Sequence, residues 1–229
     1  MTSPAPDKPS TAPADLHGAA ASGYLSKHRI EALTDGIFAV AMTLLVIELK
    51  IGEHGAITNV EQLQHALVAL LPKGLAWIIS FFVLAFFWLG HHRLFQHVRH
   101  VDARMLWANI AMLCAASLMP FSSALVGEYA GAFVSQCFYA INMIVLSATS
   151  LAMLIIARGS PILLDAPLSS AIFIGSRFRI VSLIVLSVAA LMVAWFAAPF
   201  ATVVFAAMPL VGHISRRLAA KAAAAEAAA

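Results

Sequence analysis

Apolar residues recur along this chain in long unbroken runs, and polar residues gather in the gaps between them. The runs fit membrane-crossing helices, each needing about 20 residues at 1.5 Å rise to cross about 30 Å of hydrocarbon. The first span is predicted over Ile30–Leu49, entered through Lys27, His28 and Arg29 and closed by Glu48, Lys50 and Gly52. The second covers Pro72–Gly90, the third Met105–Leu125 and the fourth Phe133–Ile156, which the breaker Gly159-Ser160-Pro161 follows. The apolar stretch Phe178–Leu218, of about 40 residues, is too long for one crossing and suits two, with Pro199 at the hairpin. Pro209 and Gly212 interrupt the last crossing, so five spans plus a re-entrant segment is the alternative count. Between the first two spans, the more polar Ile51–Leu71 carries Thr58-x-x-Glu61, the pattern of a capping box opening a short amphipathic helix.

Composition agrees with the runs. Of 229 residues, 62% are apolar and 11% charged, with mean hydropathy +0.90. Soluble domains are about 45–50% apolar and about 25% charged. A soluble enzyme, a nucleic-acid-binding module and a disordered regulator are therefore poor readings, and the expectation is an all-α membrane protein. Residues 1–24, rich in Ala, Pro and Ser without an apolar leader core, read as a disordered tail. Residues 25–218 form the spanning unit, and 219–229 an Ala-rich C-terminal tail. Cys114 and Cys137 lie inside apolar runs and read as small membrane-buried side chains without a disulfide.

Basic residues orient the spans. With the N-terminus in the cytoplasm, Lys8, Lys27, Arg29, Arg93, Arg99, Arg104, Arg158, Arg177, Arg179, Arg216, Arg217 and Lys221 fall inside, and only Lys50 and Lys73 outside. That asymmetry follows the positive-inside rule and favours six spans with both termini cytoplasmic. A five-span chain would carry Arg216, Arg217 and Lys221 outward.

Ionisable groups within a span mark structure or function by default. Asp35 lies six residues beyond Arg29, about 9 Å deeper along the helix. The second helix brings Trp88 and His91 to the same end, on one face at i, i+3, and the third places Asn109 one turn in from Arg104. Thr34, Asp35, Trp88, His91 and Asn109 are thus expected at one depth, hydrogen-bonded, with Arg29 capping the cluster. Such a cluster serves as a proton relay or as an interhelical clamp. At 100° per residue Asp35 stands about 140° from Val40, which favours the clamp. Gly36, Val40, Thr43 and Ile47, spaced 4, 3 and 4, form a separate narrow stripe on the first helix. In a lone bundle that is a packing seam, and in an oligomer it suits a dry constriction. Glu48 reads as an interfacial charge beside Lys50.

Other chemistry is thinly represented. His91, His92, His97 and His100 crowd a helix end with Asp102 as the only nearby acid, so no metal site is expected. HExxH, nucleophile-elbow, P-loop and GxGxxG motifs are missing, and so is the TVGYG filter. No enzyme activity and no cofactor are expected.

Three stretches resemble a known family. Arg29-Ile30-Glu31-Ala32-Leu33-Thr34-Asp35 is similar to the R-x-x-x-F-S-D signature of the transmembrane protein 175 family of endolysosomal potassium channels and their bacterial relatives. Trp88 to Phe95 resembles the W-x-x-H-x-R-L-F end of that family's second span, and Leu106–Asn109 with Pro120-Phe121 and Gly127–Tyr129 resembles its third. Leu33 and Thr34 depart from Phe and Ser; Thr34 keeps the hydroxyl, while Leu33 loses an aromatic contact. The resemblance implies a six-span, single-repeat subunit of a homotetrameric potassium channel in a bacterial plasma membrane. It further implies that the first helix lines the pore and that Val40, Thr43 and Ile47 form gate and selectivity rings, with a transient potassium ion near Thr43. The implied partners are potassium ions, the bilayer and three further copies, without nucleic acid. The alternative function is a proton-coupled transporter or proton-permeable channel using Asp35 and His91.

Overall fold

The computed structural model describes residues 26–51 and 58–227; the expected tail 1–24 and the final residues lie outside them. The described residues form an all-α bundle. α1 spans Lys27–Leu44 and ends in a 3₁₀ turn, Leu45–Glu48. The short α2 (Val60–Ala69) leads into α3 (Leu71–Phe95), with Pro72 in its first turn, where no intrahelical N–H is lost. The third span is divided. α4 (Ala103–Ser117) and α5 (Met119–Glu128) meet at Leu118, because Pro120 cannot donate within a continuous helix. α6 (Phe133–Gly159) and α7 (Ser170–Ala197) follow, then a 3₁₀ segment, Ala198–Ala207, and α8 (Met208–Ala227).

The return path of the chain decides between five and six crossings. The Ser215 hydroxyl donates to the Gly175 carbonyl at 2.8 Å, and the Ser170 amide donates to Glu226 at 2.7 Å. Gly175 permits the contact, since a Cβ there would come within 3.1 Å of the Ala219 methyl. By Ser215 the chain is therefore back at the end where α7 began. The ten 3₁₀ residues of Ala198–Ala207 rise about 2.0 Å each, so with the first turns of α8 they match the span of hydrocarbon. Pro199 stands in the first turn of the 3₁₀ segment and Pro209 in the first turn of α8, where a missing N–H removes no intrahelical bond. The re-entrant alternative is set aside.

Of the boundaries that differ from the sequence expectation, two have a capping side chain as their cause. α7 begins at Ser170, earlier than Phe178, because the Ser169 hydroxyl caps it by accepting from the Ile172 amide. The α2 cap lies one residue later than Thr58. Asn59 accepts from the Gln62 amide at 2.8 Å, and Gln62, not Glu61, reaches back to Thr58 at 2.9 and 3.0 Å. The Ala-rich stretch after Leu218 continues α8.

Large apolar side chains from all the long helices fill the core, among them Phe38, Val83, Leu84, Met105, Met112, Met143 and Leu146. Buried polar groups pair across helices: Ser80 with Tyr139 at 3.1 Å, Asn142 with Ser122 at 3.1 Å, and Thr202 with Gln136 at 2.9 Å. The arginine-rich loops interlock. Val98 bridges Leu164 in antiparallel fashion, and Arg104 donates to Ser160 at 3.0 Å. At the opposite end of the bundle Lys73 pairs with Glu128.

Candidate functional site: the first helix and its polar anchor

α1 is only lightly embedded in the protomer. It buries a single row, Ile30, Thr34, Phe38 and Ala41, which the 3₁₀ turn extends to Leu45. At 100° per residue these five positions fall within about 80° of arc. Gly36, Val40, Thr43 and Ile47 fall within about 60° of one another, centred about 150° from the buried row. All four are exposed in the protomer, Val40 and Ile47 each at 56%. The 3₁₀ turn winds more tightly, at about 120° per residue, and rotates Ile47 by about 40–60° from where an unbroken α-helix would put it. The stripe is therefore wider at its Ile47 end than the sequence spacing implies.

Thr43 spends its proton within its own helix, its hydroxyl donating to the Val40 carbonyl at 2.8 Å. The two lone pairs of that oxygen are left to accept from, or coordinate, whatever faces the stripe.

On the buried side the polar residues meet. The Asn109 amide donates to the Thr34 hydroxyl at 3.2 Å, both side chains being fully buried. The Trp88 indole N–H donates to the Asp35 carboxylate at 2.8 Å, on the exposed flank of α1. His91 is buried, stacks on Phe95 at 4.0 Å between centroids, and lies beside Asn109 within the field of Asp35. Its Nε2 has no hydrogen-bond partner among the described residues, and His91 lines a cavity of about 30 Å³ together with Ser150, Ser176 and Arg179. Thr34, Asp35, Trp88, His91 and Asn109 thus share one locus on α1, α3 and α4. Arg29 stands apart: it is exposed, and its side chain makes no hydrogen bond or ion pair among the described residues.

Arg179 has no counterpart in the sequence reading of this locus. In sequence it is one of several basic residues near a span boundary, and the early start of α7 carries it into the bundle. Its guanidinium sits 5.3 Å over the Phe86 ring. Among the described residues no group of three or more His, Cys, Asp or Glu side chains is arranged to hold a metal.

A family model described as "Endosomal/lysosomal potassium channel TMEM175" matches residues 29–120, the segment that contains α1, the Trp88–His91 turn and Asn109. The backbone agrees over a longer stretch. The crystal structure of a lysosomal potassium-selective channel TMEM175 homolog from Chamaesiphon minutus superposes with TM-score 0.65 at 27% identity, covering 86% of this chain and 97% of that one. Over residues 29–120 the chain is similar to the TMEM175 family. A curated potassium channel of Chamaesiphon minutus is 40% identical over 101 residues, 44% of this chain and 49% of that protein. One from a Chryseobacterium strain is 37% identical over 103 residues, 45% of this chain and 50% of that protein. The human endosomal/lysosomal proton channel TMEM175 is 32% identical over 120 residues, 50% of this chain and 24% of that protein. The chain spans about half the length of the bacterial relatives it matches. The long apolar helices and this likeness together indicate a multi-span membrane protein.

Proposed function

We propose that the chain is the subunit of a homotetrameric, potassium-selective cation channel, with α1 of each copy lining a common pore. The observation that carries this reading is the Gly36–Val40–Thr43–Ile47 face. It is exposed, lies opposite the buried face of α1, and belongs to the segment matched by the channel family. One such face encloses nothing; four around an axis form stacked rings.

Ion selection follows from dehydration. Rings of Val40 and Ile47 offer an entering cation few ligands for the waters it sheds, and potassium sheds water more cheaply than sodium. Thr43 supplies partial compensation between them, because its hydroxyl oxygen, having donated to Val40, presents lone pairs to the axis. Dewetting at Val40 or Ile47 closes the path. The Thr34–Asn109 and Trp88–Asp35 bonds fix the rotation of α1 about its own axis, which sets where the stripe points. The protein functions without a cofactor and has no enzyme activity. It resides in a bacterial plasma membrane with the arginine-rich end and both termini in the cytoplasm, consistent with the distribution of basic residues.

A proton-conducting role is the second reading. The vertebrate relatives' designation as proton channels favours it, as does the buried, unpartnered Nε2 of His91 near Asp35. Liposome-reconstituted protein under bi-ionic potassium/sodium conditions separates the readings. A reversal potential following the potassium gradient supports potassium selectivity. A potential following only the proton gradient supports the second reading, and an absence of current refutes both. Thr43→Val, which keeps the shape and removes the oxygen, lowers the potassium-to-sodium permeability ratio; an unchanged ratio removes Thr43 from the mechanism.

A further inference from the structure

At the arginine-rich end, α3, α7 and α8 leave a groove of about 460 Å³ between them. Arg93 and His97 enter it from α3 and the turn after it, Arg179 from α7 and Arg216 from α8, over apolar walls that include Phe86 and Leu154. Among the described residues no acidic side chain lines it. This lack of counter-charge is local: elsewhere at the same end Arg104 pairs with Asp102, and Arg158 donates to the Leu168 carbonyl at 3.0 Å.

Arg179 is the most constrained of the four. It is partly buried, caps the Phe86 ring, and makes no hydrogen bond or ion pair among the described residues. It also bears the like charge of Arg93. Gly90 on α3 leaves it space, since a Cβ there would lie 3.6 Å from the Arg179 Nη2. A guanidinium withdrawn from water, beside a second arginine and with no anion, is a costly arrangement unless an anion joins it. Basic pockets between spanning helices at headgroup level take phosphate groups, and arginine presents the fork that matches them.

We propose that this groove binds the phosphate of an anionic phospholipid, held between Arg93, Arg179 and Arg216, with an acyl chain running along Phe86 and Leu154. Choice of a lipid over a free phosphate rests on the apolar side chains, Phe86, Leu89, Leu94 and Leu154, that line the groove beside the arginines. Choice of an anionic lipid over a zwitterionic one rests on the lack of acidic side chains to receive an ammonium headgroup. The inference does not depend on what the protein conducts.

The full chain, purified in neutral detergent, is titrated with phosphatidylglycerol and with phosphatidylcholine of the same chains, and bound lipid is read by native mass spectrometry. Phosphatidylglycerol is retained at lower concentration than phosphatidylcholine. Arg93→Gln and Arg216→Gln, both at exposed positions, each weaken its retention about fivefold, as loss of one basic side chain near an anionic headgroup implies. Arg179→Gln weakens it at least as much. Arg99→Gln and Arg217→Gln, which remove the same charge outside the groove, leave it unchanged. Equal retention of the two lipids overturns the proposal, as does equal loss in groove and control variants. Competition by millimolar inorganic phosphate that displaces the lipid completely assigns the site to free phosphate and overturns the lipid claim.

Discussion

The buried bond between Thr34 and Asn109 is what the account relies on to set the rotation of α1, and its energetic weight can be worked out. Both residues are fully buried, and the Asn109 amide reaches the Thr34 hydroxyl at 3.2 Å. Thr34→Val conserves volume and removes the acceptor, leaving a buried amide without this partner. In a water-referenced fold that omission costs about 1–3 kcal/mol. Within a membrane the unfolded reference also satisfies its polar groups, and interhelical bonds average about 0.6 kcal/mol with a maximum near 1.7. The expected loss for Thr34→Val is therefore about 0.6–1.7 kcal/mol. Asn109→Leu costs less, because the freed threonine hydroxyl can turn to a carbonyl one turn back on its own helix. The double variant is more stable than the sum of the two losses predicts. Reversible unfolding in mixed micelles, followed by tryptophan fluorescence, completes the double-mutant cycle. A coupling energy below about 0.3 kcal/mol, the scatter expected for independent sites, would refute the claim that this pair anchors α1.

Two further outcomes follow from the same geometry. Phe38→Ala, at a fully buried position of α1, lowers unfolding stability by about 3–5 kcal/mol, whereas Val40→Ala on the exposed face leaves it nearly unchanged; equal losses would contradict the two-faced description of the helix. Asp102, outside the spans, caps α4 by accepting from the Met105 amide at 2.9 Å. Burial pushes its carboxyl up, but that bond and Arg104 outweigh burial and hold it below the ordinary carboxylate range. A lowered native value means the contribution is complete above the unfolded value and is lost as pH falls through the native one. Asp102→Ala costs about 1 kcal/mol at neutral pH, and the difference from the unsubstituted protein shrinks in acid; a pH-independent difference would exclude the charge.

Hydropathy carries most of the architecture, because a hydrocarbon solvent leaves helices as almost the sole option for runs of this length. Depth matching along α1, α3 and α4 makes the meeting of Thr34 with Asn109 and of Asp35 with Trp88 legible, since rise per residue is fixed once the topology is known. The 4-3-4 spacing of Gly36, Val40, Thr43 and Ile47 is legible for the same reason. Where local winding departs from 3.6 residues per turn, the reading loses accuracy. The 3₁₀ turn at Leu45–Glu48 rotates Ile47, and the 3₁₀ stretch at Ala198–Ala207 completes a crossing that Pro209 and Gly212 interrupt in sequence. Caps slip by a residue when a better acceptor stands next in line, as Asn59 does beside Thr58. Arg179 is not legible as part of the locus, because the early start of α7, set by Ser169, is what brings it against Phe86. Arg29 shows the converse: sequence proximity to Asp35 does not bring its side chain to the cluster, because α1 turns it to an exposed position.

The central claim is that Val40, Thr43 and Ile47 face a shared aqueous axis. Single cysteines at these positions, in a background where Cys114 and Cys137 are replaced by alanine, test it in liposomes through block of potassium flux by a water-soluble thiol reagent. Flux is predicted to fall on modification at 40, 43 and 47 and to persist for a cysteine at Val185, an exposed position of α7. Unaltered flux through all three α1 variants, with labelling of the thiols verified by mass, would contradict the account.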